Sequence, residues 1–143
     1  MGGPGDNQNN LTAYHSGPLE DLTIQDALII SAVYAVEADT EKCKRISTMA
    51  QKHPLFEEQP EATSARVNKF ANWMQATQSP QAVEAIARDL KPEHRQEAFE
   101  FATEAALMDN RPTDKKKKIL QTLAAKLELP DEFVGRKLSK FQN

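Results

Sequence analysis

The 143 residues carry 18 basic and 21 acidic side chains and a net charge of −3, so no overall field draws the chain to DNA or to an anionic membrane. A chain of this length suits one domain with one core, and a single cysteine excludes both an internal disulfide and a cysteine-built zinc or iron–sulfur site. No apolar run is long enough to span a bilayer, and the opening MGGPGDNQNN has no basic stretch followed by an apolar one, which points to a cytoplasmic chain without direct membrane insertion.

Residues 1–17 hold four of the five glycines among Asn, Asp and Pro. That mixture buries too little apolar area to offset its ordering entropy and predicts a disordered tail ahead of a domain over 18–143. Prolines at 54, 60, 80, 92, 112 and 130 then divide the chain into about seven segments of helical length, and none shows the alternation of a strand. The 19 alanines let such helices approach closely around a thin core.

Thr23 and Asp26 form a capping pattern ahead of TIQDALIISAVYAVEA (23–38), which is apolar nearly all round and belongs at the centre of a bundle. Residues 40–52 follow after almost no loop, with Cys43, Ile46, Met49 and Ala50 on one face, so the two segments form a helical hairpin. Around 61–77, Val67, Phe70, Ala71 and Met74 make the next stripe. In SPQAVEAIARDL (79–90), Ser79 is the expected N-cap and Pro80 the first helical residue. Pro92 opens a second largely apolar helix containing Phe99, Phe101 and Ala102. Thr113 caps the helix bearing Ile119, Leu120, Leu123 and Leu127, and Pro130 starts a last one with Val134, Leu138 and Phe141.

Displacing the sequence by 70 residues sets Ala38-Asp39 on Met108-Asp109 and Met49 on Ile119. Each half is then an apolar helix, an acidic turn and an amphipathic helix, a pair that buries its faces by packing against its counterpart. The expected fold is an all-α, single-domain bundle with a pseudo-twofold repeat of helical hairpins.

The stretches ISAVYAVEAD, EAALMDNRPTD and ILQTLAAKLELPDEF resemble the tellurite-resistance TerB-like family over roughly residues 22–138. The resemblance implies a non-enzymatic cytoplasmic protein of a stress or tellurite-resistance system, sometimes associated with a membrane-bound resistance complex, and divalent-cation sites at its acidic turns. Here Thr40 and Asn110 stand where the family's turns usually have Gly, Lys44 and Arg45 replace acids, and Lys115 to Lys118 crowd the second turn. Thr adopts a left-handed conformation poorly, so the first turn must be built differently.

Two readings of the acidic turns stay open. Asp39, Glu41, Asp109 and Asp114 converge on one shared cation such as calcium, which demands six to eight oxygen ligands; or Asp39 and Asp109 cap the helices that follow. The four lysines, at a helix start that ordinarily favours acids, have three readings: plain solvation, with the Lys116 stem on the core and its charge in water; attraction of an anion or an acidic protein partner; or pairing with the acidic half of the domain. Cys43 is either a thiolate activated by Lys42 and Lys44 or a buried thiol. His53 is expected to cap a helix end as a cation. His15, His53 and His94 are scattered and form no catalytic order, and the lysine run lacks the base-reading residues of a nucleic-acid module. The metal-free alternative is a helical adaptor docking an acidic protein through Lys115, Lys116, Lys117 and Lys118.

Overall fold

The computed structural model describes residues 22–56, 58–77, 81–109 and 111–141. Seven α-helices run through them: α1 (Ile24–Ala35), α2 (Thr40–Gln51), α3 (Pro60–Thr77), α4 (Gln81–Asp89), α5 (Pro92–Ala106), α6 (Asp114–Lys126) and α7 (Asp131–Lys137), followed by a 3₁₀ turn at Ser139–Phe141. No strand occurs among the described residues. The tail expected over 1–17, and Ser79, Pro80 and Asn110, lie outside them.

The all-round apolarity of α1 has a packing cause: α5, α3, α4, α6 and α2 all touch it, and its contact with α5 is the most extensive between any two helices. Leu28, Ile29, Ile30 and Val33 are fully buried there, and Phe99, Phe101 and Ala102 answer from α5. Burying each large side chain contributes about 1.5–3 kcal/mol. Alanines at 27, 32, 98, 102 and 105 let the two backbones come together, so the two largely apolar helices of the two hairpins form the centre.

Local chemistry starts and stops the helices. Both arms of the capping box at the head of α1 are made, Asp26 N–H donating to Thr23 Oγ1 at 3.1 Å and Thr23 N–H to Asp26 Oδ2 at 3.0 Å. Asp39 caps α2 and Thr113 caps α6. Pro92 and Asp131 open α5 and α7 beside Lys91 and Pro130, which have no side-chain cap. The last helix is shorter than its apolar spacing predicts: Leu138 ends it, and a tighter 3₁₀ turn carries Phe141 into the core.

Candidate functional site

The two corners that join α1 to α2 and α5 to α6 are turned by different means. At the first, Glu37 and Ala38 adopt left-handed backbone angles, φ 58° and 56°, and Ala38 N–H reaches back to Val33 O at 2.9 Å. Thr40 is already the first helical residue of α2, so the left-handed burden falls earlier than the family-like turn placed it. The Asp39 carboxylate accepts from Lys42 N–H at 3.0 Å, and Gln75 Nε2 donates to Ala38 O at 2.7 Å, tying α3 to the turn.

At the second corner the acid holds a cation belonging to the chain itself. Lys116 Nζ donates to Asp109 Oδ1 at 2.6 Å and to Arg111 O at 2.8 Å, while Arg111 N–H donates to the same Asp109 oxygen at 3.0 Å. Thr113 Oγ1 receives Lys116 N–H at 3.2 Å, which fixes the base of that side chain. The Lys116 side chain is only 13% exposed. Its ammonium foremost holds the Asp109 carboxyl below the usual carboxylate range against the opposing effect of burial, and Arg111 N–H and the charge of Lys42 act in the same direction.

The corners face each other across a cavity of about 110 Å³ walled by Glu37 and Lys42 from one side and by Thr113, Lys115 and Lys116 from the other, with Ile119 among its apolar lining. Lys115 Nζ spans the gap to Glu37 Oε1 at 3.3 Å. The sequence-predicted acids are not gathered into one ligand set. Asp39 is a helix cap, Glu41 pairs on the surface with Lys44 at 3.5 Å, Asp109 holds Lys116, and Asp114 lies exposed in the first turn of α6. Among the described residues no three His, Cys, Asp or Glu side chains group as metal ligands.

The four lysines therefore have separate fates. The charge of Lys116 goes to Asp109 and a carbonyl, not to water as its position on the helix suggested. Lys115 meets the acidic half of the domain. Lys117 and Lys118 form no ion pair among the described residues; Lys117 also lines a groove of about 380 Å³ between α6 and α7 with Gln121, Asp131 and Gly135.

Two other candidates change character. Burial first, and then the Asp39 carboxylate, push the Cys43 thiol up to about 11, so it is a protonated core side chain and the activated-thiolate reading is overturned. His53 Nδ1 accepts Leu55 N–H at 3.1 Å, and the ring stands edge-on to Phe56 and Phe101, so it serves as an acceptor and a packing group.

An ion cluster was missed. Arg66 on α3 bonds Asp26 through Nη1 and Glu58 through Nη2 at 2.9 Å, and Thr63 Oγ1 donates to Glu58 Oε2 at 2.9 Å. The available signal was the spacing of Arg66 one turn before Phe70, which sets a cation beside the buried stripe where it needs counter-ions.

No helix among the described residues is long and apolar enough to cross a membrane. Comparison with known protein families, curated proteins and solved structures finds no match for this chain.

Proposed function

We propose that the protein is a non-enzymatic, metal-free helical adaptor that docks an acidic protein partner through the outer face of α6. The carrying observation is the division of labour among the lysines: Lys116 supplies the cation of its own acidic turn, and the neighbouring Lys117 and Lys118 form no ion pair among the described residues and carry their charges on the same helix. A tethered ammonium with a carboxylate and a carbonyl around it leaves a divalent ion fewer oxygens than it needs and places a like charge beside it. The resemblance to TerB-like proteins, with its cytoplasmic stress or tellurite-resistance setting and membrane-associated resistance complex, is a further part of this proposal.

The test has two arms. Thermal unfolding of the wild type is expected to be the same with and without calcium, because a ligand of the native state alone must raise the melting temperature. Binding to poly-glutamate, used as a model acidic surface, is expected to be salt-sensitive and to weaken in Lys117→Gln/Lys118→Gln with Lys116 intact. A calcium-dependent rise in melting temperature would overturn the metal-free reading, and unchanged poly-glutamate binding in the double variant would overturn the docking face.

A further inference from the structure

Lys42 is half-buried on the wall of the cavity between the corners, and among the described residues its ammonium forms neither an ion pair nor a side-chain hydrogen bond. It acts on Asp109 only at a distance. Opposite stands Lys115, whose partner Glu37 is 57% exposed on its side chain and so is free to swing outward. The Thr113 hydroxyl lies on the same wall.

We infer that this notch is a seat for a phosphoryl dianion, held between Lys42 and Lys115, with Glu37 as the internal carboxylate it displaces. The assignment is independent of Lys117 and Lys118. Three features select the ligand class. An ammonium carried on a half-buried side chain, with no direct counter-ion among the described residues, favours an incoming anion. Two ammonium groups from opposite walls match two negative charges, since charge-assisted hydrogen bonds are the strong ones. The notch, about 110 Å³, has room for a tetrahedral oxyanion. Glu37 opposes the anion while it faces the cavity, and Asp109 is already neutralised by Lys116.

The experiment titrates the full chain with inorganic phosphate, and separately with O-phosphoserine, following backbone amide resonances at constant ionic strength. Saturable shifts are expected at Lys42, Thr113 and Lys115. Lys42→Gln is expected to weaken binding about tenfold, the worth of one charge-assisted hydrogen bond, while Glu37→Gln, which removes the competing carboxylate, tightens it. Lys52→Gln, an exposed position outside the notch, leaves it unchanged. Tighter binding of phosphoserine assigns the seat to a phosphorylated side chain, and tighter binding of inorganic phosphate to the free ion. Shifts that fail to saturate, equal losses in Lys42→Gln and Lys52→Gln, or weaker binding in Glu37→Gln would each overturn the assignment. The opposite signs expected at positions 37 and 42 keep it testable even if one variant folds poorly.

Discussion

Asp26 and Asp109 do the same local job with unequal consequences. Each carboxylate accepts one backbone N–H near its own helix start and one side-chain cation. The cation on Asp26 is Arg66, from a helix 40 residues along the chain, and the pair is largely shielded, with side chains 10% and 23% exposed. The cation on Asp109 is Lys116, seven residues away across one turn, and Asp109 itself is 32% exposed. The first pair joins α1 to α3, and the second closes a loop that Thr113 also orders. What an ion pair is worth here depends on what it joins and how well water is kept from it.

The most damaging way to break the comparison is to remove the interior cation. Arg66→Ala leaves Asp26 and Glu58 shielded without a cation, and a loss of about 3 kcal/mol in denaturant unfolding is expected. Arg66→Lys is expected to recover only part, because one ammonium cannot reproduce the forked contact with two carboxylates. A loss no larger than that of a surface substitution would equate the two clusters.

Acid should reveal the same inequality. The hydrogen bond from Arg66 chiefly, helped by Thr63 and opposed by burial, holds the Glu58 carboxyl below its ordinary 4.5. A folded-state value below the unfolded one gives stability that is complete above the ordinary value and is lost as pH falls through the folded one. Asp109 follows the same sign below its ordinary 3.8. The melting temperature is therefore expected to fall on acidification below about pH 4.5, and less steeply in Arg66→Ala, where the Glu58 shift has lost its main cause. Parallel pH profiles for the two proteins would remove Arg66 as the source.

A smaller effect is expected at the corner. Lys116→Met keeps the apolar stem and deletes the charge, so its melting temperature should fall less than that of Arg66→Ala. The difference from wild type should also shrink in high salt, since Asp109 is reached by solvent. A drop as large as that of Arg66→Ala, unaffected by salt, would place the corner among the structural ion pairs.

The two clusters also mark how far the sequence could be read. Thr113 and Lys116 lie within one turn of Asp109, and the helices, their caps and the central place of α1 follow from spacing that never leaves a short window. Asp26 was legible as a cap for the same reason. Its second role was not, because which polar edge of α3 meets α1 is settled by packing between segments 40 residues apart. Likewise the notch brings Lys42 opposite Lys115, residues whose meeting no local pattern dictates. Thr40 could be read as unfit for a left-handed turn, but not where the turn would go instead: it falls at Glu37 and Ala38, since α1 ends at Ala35 and the reversal is complete before the Asp39 cap.

The finest test separates backbone strain from charge at the first corner. Glu37 and Glu128 share φ 58°, and each is the first left-handed residue past a helix, α1 and α6 respectively. Glycine at either site relieves the same side-chain clash, so each change carries the same backbone gain, about 0.5–1 kcal/mol. Their side-chain contacts differ. Glu128 touches Arg95 only at 3.8 Å, and Arg95 keeps Leu127 O at 2.7 Å whether or not Glu128 is present. Glu37, by contrast, holds Lys115 across the notch. Glu128→Gly is thus expected to show the full backbone gain in thermal unfolding, and Glu37→Gly the gain less the worth of an exposed pair, between 0 and about 1 kcal/mol. Raising the salt should bring the two variants together, because the pair lost at position 37 is the closer one, 3.3 Å against 3.8 Å, and leaves more for ions to screen. If they already coincide at low salt, Lys115 gains nothing from Glu37, and the contact across the notch is geometry without energy.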